Sequence, residues 1–303
     1  MSPAPAGTMP APSSRSSSIT DGAVKTIGGF LRLLRPGNMA IAGLSVAVGA
    51  LGCRGQWCPE RIACAAASAM LLAGAGNALN DYHDLAIDRI NRPRRPLPAG
   101  LVPPEAAALA GTVMMTAGVG IGFVAGAGLG LLAAAGAVLL WAYAAHGKRM
   151  ALAGNLLVAA VAGSAFFYGG LAVGNWRLAA YPAGFALLMH FAREIVKDVQ
   201  DEPGDRAAGA RTTAIALGKR RAQAVAACSL GLLFLLIPLP YLLGAYNRWY
   251  LLLVLVLVNP FLLWAVRELL TDPGPTRIAR LSLLIKLDMV AGLAAIAAGI
   301  LIH

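Results

Sequence analysis

Two short stretches of this sequence concentrate acidic residues between long apolar segments. The first acidic motif, residues 80–88, carries Asn80, Asp84 and Asp88 at intervals of four residues. On a helix, a rise of ~1.5 Å per residue places these side chains in one stripe about 12 Å long. Like charges in such a stripe repel one another, and ionisable groups at a membrane boundary are costly. The motif therefore predicts a bound compensating cation.

The second acidic motif, residues 198–205, carries Asp198, Asp201 and Asp205. Spacings of three and four residues place these carboxylates on one helical face. A Pro-Gly pair at 203–204 lies between the last two, and proline followed by glycine is typical of a helix end. We therefore expect the last aspartate to lie on a loop.

Two carboxylate clusters with arginines and lysines around them are suited to holding a polyphosphate through Mg²⁺. Hard divalent cations prefer oxygen ligands, and Mg²⁺ usually bridges one or two carboxylates to phosphate oxygens. The alternative is that each motif is a solvated connection whose acids pair with nearby arginines. Because both motifs are entered directly from an apolar segment, the sequence favours the polyphosphate site.

The composition predicts a membrane protein. Of the 303 residues, 58% are hydrophobic and 13% are charged, whereas about a quarter of the residues of a soluble domain are charged. Roughly twenty apolar residues cross ~30 Å of hydrocarbon as a helix. We therefore predict an all-α, multi-pass membrane bundle of about nine helices, with spans near 38–56, 62–80, 104–122, 126–145, 152–173, 177–197, 221–245, 249–267 and 281–302.

The distribution of basic residues predicts the orientation in the cell membrane. The net charge of +11 could indicate a nucleic-acid partner, but topology explains it. With the N-terminus in the cytoplasm, 21 of the 25 basic residues lie in inner segments, as the positive-inside rule requires. This orientation places both acidic motifs on the cytoplasmic side and excludes a nucleic-acid partner.

The chain has no stretch that would form a separate soluble domain. Residues 1–25 are rich in Ser, Pro and Ala and predict a disordered cytoplasmic tail, while residues 26–303 predict the transmembrane domain. Cys53 and Cys58 both fall in a predicted outer loop, where a disulfide and two free thiols are alternatives. The sequence assigns no role to His83 or His190.

Several segments resemble the UbiA superfamily of membrane prenyltransferases. Residues 80–100 resemble its NxxxDxxxD motif with the loop that follows, and residues 201–213 resemble its DxxxD motif. Further matches are residues 35–38 and 154–159, and the resemblance covers about residues 30–300. It implies a helical bundle around a central cavity, with Mg²⁺ as the cofactor. The implied metal ligands are Asn80, Asp84, Asp88, Asp198, Asp201 and Asp205.

The resemblance also implies the groups that bind and activate the substrates. Asp84, Asp201 and Lys148 would be catalytic, with Lys148 stabilising the charge on a departing diphosphate. The family often has a Tyr-x-x-x-Lys element, but four residues separate Tyr143 from Lys148 here. The implied contacts to the diphosphate or the acceptor are Arg35, Arg92, Arg95, Tyr143, Lys148 and Arg211.

Residues 193–205 are most similar to superfamily members that prenylate geranylgeranylglyceryl phosphate in ether-lipid synthesis. The resemblance therefore implies transfer of a prenyl chain, geranylgeranyl by this similarity, from its diphosphate to that lipid. The alternative is an aromatic acceptor of the quinone or chlorophyll type. A transporter is the alternative that is not an enzyme, but it predicts charges near the membrane midplane rather than at one face.

Overall fold

The described part of the chain, residues 15–53 and 55–302, is helical throughout in the computed structural model and contains no strand. Most helices are joined by short connections. The helices are α1 (Arg15–Leu34), α2 (Pro36–Gly52), α3 (Pro59–His83), α4 (Leu85–Asn91), α5 (Pro104–Ala125), α6 (Ala127–His146), α7 (Ala151–Ala172), α8 (Ala180–Ala207), α9 (Thr213–Leu217), α10 (Lys219–Leu236), α11 (Leu239–Leu242), α12 (Arg248–Leu253), α13 (Asn259–Leu270) and α14 (Pro275–Leu301).

The number of membrane spans is slightly lower than predicted. Within the described residues, seven helices are long and apolar enough to cross a membrane, and an eighth span arises if Val24–Leu34 and α2, bent by 43°, count as one. The predicted span 177–197, the sixth along the chain, corresponds to the first part of α8. That part carries Arg193, Glu194 and Lys197, so its apolar stretch is too short. The all-α membrane bundle is confirmed, and the count of nine is corrected to seven or eight.

The N-terminal prediction falls mostly outside the described residues. The predicted disordered tail covers residues 1–25, whereas the structure describes the chain from residue 15, where α1 starts. The boundary at 26 therefore stays a prediction. Cys53 and Cys58 are both free thiols in the structure, the first buried and the second half-buried.

Six helices form a ring around a central cavity of about 260 Å³. Around the ring, α2 packs on α3, α3 on α6, α6 on α7, α7 on α8, α8 on α14, and α14 on α2. The wall is apolar along much of its length, with residues such as Ile41, Leu72, Leu132 and Ala165, and polar where α2 begins and α3 ends. The predicted central cavity is therefore present.

Helices α2 and α7 approach closely because a glycine on each helix faces the backbone of the other. A Cβ on Gly169 would overlap the carbonyl oxygen of Val46, and a Cβ on Gly49 would overlap that of Phe166. In a bilayer, no hydrophobic driving force pulls helices together, so small residues that allow backbone contact are a main source of packing energy.

Replacement of Gly169 should loosen this helix pair. We expect Gly169→Ala to lower the melting temperature of the detergent-solubilised protein by roughly 2–12 °C, from an overpacking penalty of ~1–3 kcal/mol and ~2–4 °C per kcal/mol. Gly120→Ala is the matched control, because Gly120 is also helical and its Cβ would meet nothing within 4 Å. Equal melting temperatures for both variants would contradict the packing role of Gly169.

Candidate active site

The first acidic motif keeps its helical register across a short break. Helix α3 ends at His83 and α4 begins at Leu85, yet the amide of Asp84 donates to the Asn80 carbonyl (2.9 Å) and that of Asp88 to the Asp84 carbonyl (2.8 Å). The side chains of Asp84 and Asp88 are buried. Asn80 Nδ2 donates to Asp84 Oδ2 at 2.8 Å. The three residues therefore keep the predicted helical spacing, and their role as metal ligands stays a prediction.

Asp81 belongs to the same cluster, although the sequence analysis did not select it. Its carboxylate is 2% exposed and pairs with Arg35 and, at 3.2 Å, with Arg95. Arg95 Nη1 also donates to Asp88 Oδ2 at 2.6 Å. Arg95 therefore joins two carboxylates, and Asp81 fixes Arg35 at the cavity wall. The sequence signal was available, since Asp81 directly follows the apolar stretch that ends at Asn80.

The prediction that Asp205 lies on a loop is wrong. Helix α8 continues through Pro203 to Ala207, and Asp205 lies in its last turn with no exposed surface. Proline has no N–H, which leaves a carbonyl of the preceding turn without its helical donor. Asn91 supports the backbone here: its Nδ2 donates to the Asp201 carbonyl (2.7 Å) and its Oδ1 accepts from the Gly204 amide (2.9 Å).

The other two carboxylates of the second motif have different partners. Asp198 Oδ2 accepts from Asn155 Nδ2 (2.9 Å) and from the Thr213 amide (3.1 Å). This oxygen ties α8 to α7 and to the start of α9. The guanidinium of Arg92 donates to both oxygens of Asp201, with its Nη2 at 2.7 Å and 3.0 Å. The Arg92 pair links the loop after the first motif to the second.

Lys148 brings the two motifs together. Its ammonium lies 3.2 Å from Asp205 Oδ1 and interacts electrostatically with Asp84 of the first motif and with Asp198 and Asp201 of the second. Lys148 belongs to the short helical turn Gly147–Arg149 between α6 and α7. The two motifs, more than a hundred residues apart in sequence, therefore face one small volume at the same end of the bundle.

Burial raises the pKa of two carboxyls of the first motif. Desolvation raises the pKa of the Asp84 carboxyl, opposed by the charge of Lys148 and the hydrogen bond from Asn80. It also raises the pKa of the Asp88 carboxyl, opposed by Arg95. A bound divalent cation would lower both values and stabilise the charged forms.

Of the remaining residues that the sequence analysis named, Tyr143 and His190 line the cavity, whereas Arg211 and His83 are exposed. Tyr143 Oη donates to Glu194 Oε2 at 3.5 Å and lines the cavity. Arg211 reaches the site through its backbone: its amide donates to the Lys148 carbonyl at 2.7 Å, while its side chain is exposed. His83 is exposed and stacks edge-on against Tyr82, whereas His190 lines the cavity.

The donor set fits Mg²⁺ held jointly with a phosphate. No group of three or more acidic, histidine or cysteine side chains within the described residues is arranged to hold a metal by itself. Mg²⁺ rarely needs such a cage, because it keeps waters and usually takes one or two carboxylates together with substrate phosphates. The buried oxygens of Asp84 and Asp88 on one side, and of Asp201 and Asp205 on the other, suit that arrangement.

Comparison with known proteins identifies the family. The model of the UbiA prenyltransferase family matches residues 40–287. Digeranylgeranylglyceryl phosphate synthase from Natronomonas pharaonis is 42% identical over 235 residues, which are 77% of this chain and 84% of the relative. The chain therefore belongs to the UbiA prenyltransferase family and is a multi-pass membrane protein.

Solved structures agree with this assignment. A structure from work on digeranylgeranylglyceryl phosphate synthase in membranes superposes with a TM-score of 0.71 at 28% identity, covering 91% of this chain and 98% of that chain. A UbiA homolog from Archaeoglobus fulgidus bound to GPP and Mg²⁺ superposes with a TM-score of 0.63 at 20% identity, covering 89% and 99%. The second likeness shows the fold alone.

Asn91 should hold the end of α8 in place. We expect Asn91→Ala to speed hydrogen exchange of the amides around Gly204, because the Asp201 carbonyl and the Gly204 amide lose a partner. Gly204→Ala should act similarly, since a Cβ there would lie 2.5 Å from Asn91 Cγ. Arg89→Ala, an exposed change on the same helix α4, is the control. Exchange rates unchanged in Asn91→Ala would contradict the bridge.

Proposed function

We propose that this protein transfers a geranylgeranyl chain from its diphosphate to geranylgeranylglyceryl phosphate, in the membrane and with Mg²⁺. The observation that carries the proposal is the convergence of Asp84, Asp201 and Asp205 on Lys148. This group adjoins an apolar cavity, because Asn80, which donates to Asp84, lines that cavity. The similarity to the Natronomonas pharaonis enzyme supports this acceptor. The Archaeoglobus fulgidus homolog with GPP and Mg²⁺ supports the cofactor.

The reaction exchanges one carbon–oxygen bond for another. The bond between the allylic carbon and the diphosphate breaks, and the acceptor hydroxyl forms an ether with that carbon and loses its proton. Bound Mg²⁺ would neutralise the charge that develops on the diphosphate. We assign Asn80, Asp84 and Asp88 to one side of the metal site, and Asp201 and Asp205 to the other. Asp198, through its hydrogen bonds to Asn155 and Thr213, supports the second side.

The basic residues of the site stabilise the leaving group. Lys148 lies where it can donate to the diphosphate as negative charge grows. Arg92 and Arg95 hold Asp201 and Asp88 in the structure, and each can move to a phosphate oxygen when cations take over the carboxylates. Arg211 lies in the connection between α8 and α9. Its amide donates to the Lys148 carbonyl and so supports the turn that carries Lys148.

The apolar part of the cavity protects the allylic carbon. Side chains such as Ile41, Leu72 and Leu132 line it, so water that would capture an allylic cation is largely excluded. The same surface suits a prenyl chain, because burial of each CH₂ contributes ~0.8 kcal/mol. Tyr143, whose hydroxyl donates to Glu194, would border the acceptor at the polar end of this cavity.

The basic residues support a cytoplasmic site. Arg92, Arg95, Lys148 and Arg211 all lie near the end of the bundle that holds the acidic motifs. By the positive-inside rule we place this end, and the N-terminus, on the cytoplasmic side of the cell membrane. A water-soluble thiol reagent that labels Arg89→Cys from the inside of vesicles, and not from the outside, would support this orientation. Labelling from the outside would overturn it.

Replacement of one aspartate in either acidic motif should lower the turnover rate strongly. We expect Asp84→Asn and Asp201→Asn to lower kcat for transfer from geranylgeranyl diphosphate by at least about a hundredfold, since each contributes to transition-state charge stabilisation. Glu202→Gln is a control next to the second motif, because its carboxylate pairs with the exposed Arg206. Chelation of divalent cations should stop the wild-type reaction.

The identity of the acceptor can be tested with a panel of lipid and aromatic substrates. Geranylgeranylglyceryl phosphate should be prenylated, whereas 4-hydroxybenzoate and other aromatic acceptors should not. Transfer to an aromatic acceptor alone would replace the proposed acceptor with a quinone-type one. Full turnover in both aspartate variants would remove the two motifs from the chemistry, and movement of an ion or solute without transfer would favour a transporter.

A further inference from the structure

A second charged region lines the cavity, and it has the opposite sign to the acidic motifs. Arg193 and Lys197 on α8 and Lys286 on α14 all line the wall, near Arg35 at the start of α2. These cations interact with one another: Lys286 with Arg193 and Arg35, and Lys197 with the same two arginines. We define these four residues as the basic cluster.

The acids beside the basic cluster do not balance it. Glu194 is the shared partner of Arg193 (3.1 Å) and Lys197 (2.6 Å). Asp81 is shared between Arg35 and Arg95. Within the described residues, Lys286 makes no hydrogen bond or ion pair, and the buried Nε of Arg193 has no partner. Like charges held together in a partly buried space are costly, and an excess of this kind suits an anionic ligand.

The backbone adds to the positive potential. The Nζ of Lys286 lies 3.6 Å from the position that a Cβ on Gly37 would take, in the first turn of α2, where the helix dipole places partial positive charge. Arg35, just before this turn, has a left-handed backbone with φ of 54°. For a residue that is not glycine such a conformation costs ~1–3 kcal/mol, and residues of this kind cluster at functional sites.

We infer that the basic cluster binds the phosphate monoester of the lipid acceptor, with Lys286, Lys197 and Arg193 as its direct contacts. The inference rests on the proposed function and assigns one part of it to new residues. A phosphate monoester carries about −1.5 to −2 charges at pH 7. It would balance the unpaired Lys286 and the excess charge on the Arg193–Glu194–Lys197 group without a metal ion.

The basic cluster and the acidic motifs would then bind different substrates. The carboxylates need cations before they can hold the diphosphate of the donor, whereas the basic cluster can hold an anion directly. Tyr143 lies between the two regions, since its hydroxyl donates to Glu194 and interacts electrostatically with Asp84 and Asp198. A phosphate on the basic cluster would leave the acceptor hydroxyl, a few bonds away, facing the allylic carbon.

Kinetics with single variants test this assignment. We expect Lys286→Met to raise KM for geranylgeranylglyceryl phosphate by at least about tenfold, equal to ~1.4 kcal/mol, and to leave KM for geranylgeranyl diphosphate within twofold. Lys286→Arg, which keeps the charge, should restore most of the affinity. Arg280→Gln, an exposed change on the same helix α14, should leave both values as in the wild type. An effect on the donor KM alone, or on neither KM, would overturn the inference.

A binding measurement separates this inference from the proposed reaction. Glycerol 1-phosphate, without Mg²⁺ and without donor, should raise the melting temperature of the wild type and of Arg280→Gln but not of Lys286→Met. This stabilisation in a protein that fails to prenylate the lipid would keep the anion site and reject the proposed function. Equal stabilisation of Lys286→Met and the wild type would reject the anion site.

Discussion

The structure depends on the need to neutralise buried carboxylates at one end of a membrane bundle. Asp81, Asp84, Asp88, Asp198, Asp201 and Asp205 are each less than a tenth exposed. Isolated charges at such depth are expensive, so each must find a cation, a hydrogen-bond donor or a metal. Lys148 pairs with Asp205 and interacts electrostatically with carboxylates of both motifs.

The same constraint explains the cross-links around the site. Arg92 and Arg95 pair with Asp201 and Asp88, and Asn155 donates to Asp198. The Arg92–Asp201 and Asn155–Asp198 contacts join segments that are distant in sequence, and the Arg95–Asp88 pair ties the connection after α4 to the first motif. Ion pairs of this kind contribute little net stability when their desolvation is counted. Their value lies in holding oxygens at fixed positions before a substrate and its cations arrive.

Two regions of opposite charge adjoin the apolar wall of the cavity. The acidic motifs with Lys148 form one region, and Arg193, Lys197 and Lys286 form the other. A reaction between two anionic lipids needs both substrates close together despite their charges. Under the proposed function, separate sites of opposite sign would meet that need, because one anion would be bound through cations on carboxylates and the other by basic side chains. The apolar wall accepts the chains and keeps water from the reacting carbon.

The sequence by itself determined the membrane bundle, the two acidic motifs and the family, because apolar length, acid spacing and motif residues are local properties of the chain. It gave one span too many at 177–197, since the charges of Arg193, Glu194 and Lys197 serve the cavity and interrupt the apolar stretch. It also placed Asp205 on a loop, since local rules make Pro203 a helix end.

Only the tertiary structure decided which distant groups meet. The side chain of Asn91 supports the backbone at Pro203, and no local pattern can reveal a partner more than a hundred residues away. The convergence of both motifs on Lys148, the role of Asp81 and the unpaired Lys286 likewise depend on how six helices close around one space. Charge balance in a membrane interior is a property of that packed volume, whereas the sequence records only its separate parts.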